Sequence, residues 1–332
     1  MNTLVELAEK RINRRKFLAG VGAAGAATAL AGCQSTGVNP GPTVNVGLVD
    51  TDYLNFALNL EYLEAEFYLR AATGQGLLPA DNSATLNAVT IPAGTVVGGA
   101  KISGLSAAQQ NILNELAYDE QAHVRDLRLL LSGLSTSSLT AAVSLPNLDF
   151  TNGFNAVASA AGIGSTFNPF QDWDHFLVGA FLFEDVGVTA YNGIAPLISP
   201  IGVAGPTNFL ANAAAILAVE SYHAATIRAT IVGNTVAAGG VSNYPYFTYA
   251  NQISTLRGTL GGGNETPLTL PGGTTSSPTA STIVPATTTN ATAFSRTTDQ
   301  ILHIVYGKAG AGVSSGGFFP NGMNGHITVT QS

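Results

Sequence analysis

The chain has 332 residues, enough for one large domain or two modest ones with an ample core. Its formal net charge is −7 with only 10% of residues charged, which excludes the basic footprint of a nucleic-acid binder. A single cysteine, Cys33, excludes a disulfide framework.

The first segment accounts for that cysteine. Asn13-Arg14-Arg15-Lys16-Phe17-Leu18 sets a twin arginine ahead of an aromatic residue and a leucine, and the run from Ala19 to Ala31 is weakly apolar. A basic start, an apolar middle and a small-residue end predict an export signal over residues 1–32. The paired arginines point to the twin-arginine (Tat) route, with the Tat translocase as a partner during export and the periplasm or cell envelope as destination. The apolar run is too short and too rich in glycine for a comfortable membrane span. Ala29-Leu30-Ala31 fits a cleavage site that would release the chain, whereas Leu30-Ala31-Gly32-Cys33 resembles a lipobox that would anchor it through a lipid on Cys33. The position of the only cysteine favours the lipid anchor. Without residues 1–32 the chain keeps 8 basic and 18 acidic residues.

Residues 33–49 read as a tether. Asp50-Thr51-Asp52 can cap a helix predicted over about 53–72, which Gly74 and Gly76 stop. A polar insertion follows over 73–104, with strand character near Thr95 to Val97. Ser106 caps a second helix, about 107–131, ended by Gly133. A connection of about forty residues, 132–170, includes a short helical stretch at 151–161. Two more helices are expected over about 173–191 and 207–232. Beyond Gly233 the composition turns to Thr, Ser, Gly, Pro and Asn, with no helical period until Thr297 to Tyr306. Residues 234–332 therefore read as a loop-rich extension packed on the bundle of residues 50–233, with 261–292 its least ordered part. The fold class expected is an all-α core: a four-helix bundle with one long crossover.

The chemistry sits on the helix seams. Leu116, Glu120, His123, Leu127 and Leu130 step by three and four, so a Glu-x-x-His lies on the face turned to the core. A buried carboxylate and imidazole need a partner, and one isolated pair is satisfied by an ordinary hydrogen bond as well as by a metal. The motif recurs: Ala213, Ile216, Glu220, His223 and Ile227 form the same seam on the fourth helix. The first helix carries Glu61 on the row Leu54, Leu58, Glu61, Ala65, Tyr68, and the third carries Glu184 on Leu177, Phe181, Glu184, Val188, Tyr191. Each half of the bundle thus reads Glu, a Tyr seven residues on, then Glu-x-x-His. Glu61, Glu120, His123, Glu184, Glu220 and His223 are the candidate metal ligands. Four carboxylates with two imidazoles suit two iron or manganese ions better than zinc.

Neighbouring residues are weaker candidates. Glu64 lies near the same seam and competes with Glu61, but the duplication favours Glu61 because position 64 maps onto Gly187. Tyr68 and Tyr191 are candidate catalytic residues, as hydrogen-bond donors to the ligands or electron relays, with simple packing as the other reading. His175, in Asp172-Trp173-Asp174-His175, reads as a cap or surface residue. Arg128 and Arg228 read as second-sphere partners or surface residues, and His303 and His326 have no partner by spacing.

Asn59-Leu60-Glu61 with Phe67-Tyr68 is similar to the first helix of ferritins, and with the repeated Glu-x-x-His the chain resembles the ferritin-like superfamily. Within it, the stretches Phe294 to Tyr306 and Gly316 to Gly325 resemble the group of plant desiccation-related proteins and their bacterial Tat-exported relatives. The resemblance covers roughly residues 50–332. It implies a di-metal centre held by those six residues. Two such ions bridged by glutamates can share a redox change and bind O₂ or peroxide, so the chemistry expected from the ligand set is of the oxidase, ferroxidase or catalase kind. A non-catalytic envelope protein for stress or desiccation, using the bundle as a scaffold, is the alternative. An oligomer fits either reading, although the insertion and tail would encumber a closed storage shell.

Overall fold

The structure, a computed structural model, describes residues 48–86, 89–133, 142–199, 208–270, 283–287 and 289–332. The expected export signal, Cys33 and the tether up to residue 47 lie outside the described residues, as does 271–282 within the segment expected to be least ordered.

The first helix, α1 (Asp50–Thr73), starts three residues earlier than the spacing predicts, because Asp52 accepts a hydrogen bond from the Val49 amide at 2.9 Å. Gly74 ends it in the left-handed conformation, φ 84°. The insertion holds a short α2 (Pro79–Asn82) and an antiparallel pair, β1 (Ala84–Leu86) with β2 (Val89–Ile91). The second long helix is α3 (Ala107–Gly133); Ser106 and Gln109 bond reciprocally at its start, as a capping box does. The predicted strand character is a two-residue β3 (Val96–Val97) pairing in parallel with β4 (Leu148–Asp149) in the crossover. The crossover also contains α4 (Phe150–Ala161), capped by Asp149.

The second half of the bundle is α5 (Trp173–Ile194), capped by Asp172, and α6 (Phe209–Ala237), capped by Asn208. α1 packs along α3 and α5 along α6, and the pairs meet through α1–α5 and α3–α6. None of the helices among the described residues is long and apolar enough to cross a membrane.

The extension is more helical than its composition suggests. Tyr246–Leu260 form α7, a fifteen-residue helix that the expectation of a loop-rich tail passed over, and Thr298–Tyr306 form the expected α8. α7 is rich in Thr, Tyr, Ser and Asn, so its intrinsic preference and apolar stripe are weak. Tertiary contact holds it, with Phe247, Ala250, Ile253 and Arg257 buried. Every residue of α1 but Asp50, Arg70 and Thr73 is buried, and α5 exposes only Asp174, His175, Asn192 and Gly193 even in part. Helices apolar all round need cover on every side. α3 and α6 supply part of that cover and the extension supplies the rest.

Two polar ties fasten the extension. The Asn59 side chain donates to Asn324 O at 2.8 Å and accepts from its amide at 2.9 Å. On α5, Asp185 accepts from Arg228 at 2.8 Å and from Arg257 at 2.6 Å; Glu265 joins Arg257 to Arg296, and Arg296 donates to Thr189. All three arginines are fully buried. For Arg228 this removes the surface reading: it is an internal ion-pair partner.

Candidate metal centre

The four seams converge midway along the bundle. Glu61 from α1, Glu120 and His123 from α3, Glu184 from α5, and Glu220 and His223 from α6 are all buried, and the four glutamates have no measurable exposure. His123 Nδ1 lies 3.2 Å from both Glu61 Oε2 and Glu120 Oε2, and 3.6 Å from Glu220 Oε1. His223 Nδ1 lies 2.9 Å from Glu120 Oε1 and 3.5 Å from Glu184 Oε2. The donors fall into two groups, Glu61, Glu120, His123 and Glu220 in one and Glu120, Glu184 and His223 in the other, each with its ligand atoms within 4.8 Å of one another. Glu120 belongs to both.

The tyrosines hold the outer ligands in place. Tyr68 of α1 donates its hydroxyl to Glu184 Oε1, and Tyr191 of α5 donates to Glu61 Oε1. Burial and the adjacent carboxylates push both phenols well above their ordinary range, so they stay protonated donors. This contact gives Tyr68 and Tyr191 a positioning role. In each pair the other carboxylate oxygen, Glu184 Oε2 or Glu61 Oε2, turns inward toward a histidine ring of the cluster.

Those inward atoms test whether the site fits a cation. Glu61 Oε2, Glu120 Oε1, Glu184 Oε2, both oxygens of Glu220 and His223 Nδ1 are buried with no partner beyond one another and the His123 ring. Leaving even one buried carboxylate uncompensated costs several kcal/mol. Six orphaned donors converging on two points are what a pair of metal ions would satisfy. The residues fit.

Protonation answers the same problem without metal. Burial opposes charge on His123, yet Glu61 and Glu120 beside it push its pKa up to about 12. His223 is raised too: burial acts against its charge, and Glu184, Asp119 and Glu120 outweigh it. Burial lifts Glu61 to about 7 and raises Glu184 and Glu220. Burial acts the same way on Glu120, but the two imidazolium rings override it and hold this carboxyl below the usual range. Without metal the rings thus carry the positive charge the carboxylates need.

Two more residues belong to the surroundings of the cluster: Asp119, which the sequence reading passed over, and Glu64, which it weighed against Glu61 as the α1 ligand. Asp119 accepts from His223 Nε2 at 3.1 Å, which fixes the ring so that Nδ1 faces the centre. It stands next to Glu120, but the histidine it orients is on another helix. Glu64 is also buried beside the cluster, 4% exposed, and burial with the charges of Glu120 and Glu184 raises its pKa well above normal. The remaining histidines lie elsewhere: His175 pairs with the capping Asp172 at 2.8 Å, His303 contacts Ser332 O at 3.1 Å, and His326 pairs with Asp52 at 2.7 Å. Arg128 donates to Tyr62 and to the Ser83 carbonyl, away from the cluster.

The ferritin-like domain family matches residues 49–233, which span α1 to α6 up to Gly233 and carry all six candidate ligands. The chain belongs to the ferritin-like family. It is 29% identical over 289 residues to the ferritin-like catalase Nec2 of Nesocodon mauritianus, covering 86% of each chain. It is 30% identical over 220 residues to the desiccation-related protein PCC13-62 of Craterostigma plantagineum, covering 64% of this chain and 62% of that one. No solved structure matches at a significant level.

Proposed function

We propose that this ferritin-like protein holds two iron or manganese ions and disproportionates hydrogen peroxide. The observation that carries the reading is the pair of buried donor groups sharing Glu120. Glu61, Glu120, His123 and Glu220 would hold one ion and Glu120, Glu184 and His223 the other. Four carboxylates balance two divalent cations, and the mixed oxygen and imidazole donors suit iron or manganese. Bound there, such ions supply two-electron redox chemistry, which lets two peroxide molecules become dioxygen and two waters with no outside reductant. The protein's own part is to fix the ligands through Tyr68, Tyr191 and Asp119 and to keep bulk water away from buried carboxylates. Similarity to a ferritin-like catalase over 86% of both chains supports peroxide as the substrate.

Similarity to a desiccation-related protein favours a second reading, a non-catalytic envelope scaffold. One experiment separates them. The purified mature chain, reconstituted with iron or manganese, is analysed for metal and for oxygen release from peroxide. Two ions per chain and steady oxygen release, both lost in Glu120→Ala, are expected. A chain that takes up no metal and folds as well with His123→Ala and His223→Ala would leave the scaffold reading. Export belongs to the same proposal: the Arg14-Arg15 pair and Cys33 support Tat-dependent delivery to the envelope and a lipid anchor.

A further inference from the structure

The duplication that relates Glu61 to Glu184 and Tyr68 to Tyr191 breaks at one position. Glu64 of α1 corresponds to Gly187 of α5. A Cβ at Gly187 would lie 2.1 Å from Glu220 Oε2 and 3.4 Å from Glu64 Oε1, so both carboxylates approach over bare backbone. Glu64 therefore stands beside a ligand of the centre without belonging to either donor group. It is 4% exposed, and no hydrogen bond or ion pair reaches its carboxyl group among the described residues. Four other carboxylates already balance two divalent cations; Glu64 is a fifth.

What Glu64 does face is a cavity. About 10 Å³ is open there to the centre of a water-sized sphere, between α1, α5 and the extension, and Glu64 is the only polar side chain in its lining. Leu63, Phe183, Val186, Ile304 and Phe318 form much of the wall. That space is about the least that holds one water-sized molecule. The apolar wall disfavours an ion, and the unpartnered carboxyl calls for an O–H donor.

We propose that Glu64 and this cavity form a holding site for one small neutral hydroxylic molecule, water or hydrogen peroxide, between the metal centre and the C-terminal extension. The peroxide arm rests on the catalase reading above; the water arm does not. The molecule donates a hydrogen bond to the Glu64 carboxyl and otherwise lies against hydrocarbon.

The test is a high-resolution crystal structure of the mature chain, with and without metal, and after a brief peroxide soak. An ordered oxygen within about 2.5–3.0 Å of the Glu64 carboxyl, inside the cavity, is expected in all three, lengthening to two oxygens in the soaked crystal. Glu64→Leu should empty the cavity while metal per chain stays at the wild-type value, and Glu64→Gln should keep the oxygen. In the loaded protein, losing this hydrogen bond should raise KM for peroxide by about three- to tenfold in Glu64→Leu, with a smaller change in kcat. An empty cavity in the wild-type crystal, or a Glu64 carboxylate bonded directly to a metal ion, overturns the proposal. Failure to bind any metal counts against the catalase reading alone, because the metal-free crystal still decides whether Glu64 holds a molecule.

Discussion

Glu120 is common to both donor groups, so its removal should differ in kind from that of any other ligand. Glu120→Ala is expected to abolish metal uptake, whereas His123→Ala should leave the group around His223 able to bind; elemental analysis of dialysed protein reads the difference. Asp119 acts only through the ring it orients. Asp119→Asn should therefore weaken binding about 10- to 100-fold without changing the number of ions, measured by competition with a chelator. Acidity follows from the same residues. Metal takes imidazole and carboxylate in their deprotonated forms, and without metal both histidines are protonated while Glu61 titrates at about 7. Those protons must leave on loading, so apparent affinity should climb throughout pH 6 to 8, more steeply below about 7 where Glu61 also gives up its proton, with acid released. Calorimetry in buffers of different ionisation enthalpy measures the release, and an affinity flat across that range would refute the protonation scheme.

At the scale of elements, α5 carries two duties on adjacent residues: Glu184 faces the centre and Asp185 faces the extension. Asp185→Ala leaves Arg228 and Arg257 buried without their shared carboxylate and should destabilise the fold by about 3–5 kcal/mol in chemical denaturation. Metal content of the fraction that still folds should hold. Gly187→Ala, by contrast, puts a methyl group 2.1 Å from Glu220 Oε2, and should cost metal affinity more than stability. The bundle helices were legible because their apolar residues recur at helical spacing and most of their starts carry Ser, Asp or Asn; α6 runs through Gly233 to Ala237, five residues past its expected end. The six converging donors were legible because the motif occurs twice in phase. α7 was not, since packing of Phe247 and Ile253 outweighs the poor helix preference of its Thr and Tyr residues. Nor were the Asp185–Arg257 and Asp119–His223 contacts: they join residues 72 and 104 positions apart, which no local period records.

On the scale of the whole molecule, the extension is part of the core. It covers faces of α1 and α5 that are apolar enough to drive association if bared. Truncation after Gly240 is expected to give aggregated or strongly dye-binding protein, read by light scattering and by fluorescence of a hydrophobic probe; a monomeric, cooperatively melting fragment would contradict this. The tyrosine contacts carry a consequence for origin. Tyr68 of the first half holds Glu184 of the second, Tyr191 of the second holds Glu61 of the first, and each donor group borrows a carboxylate from the opposite half. Neither helix pair contains a finished centre. Such reciprocal exchange is the pattern of two identical subunits about a twofold axis, here joined into one chain by the crossover. A single helix pair with this ligand set could complete such a centre only by pairing with a second one. Carried on one chain, the halves differ at Glu64 against Gly187 and Asp119 against Val219, as two identical subunits cannot.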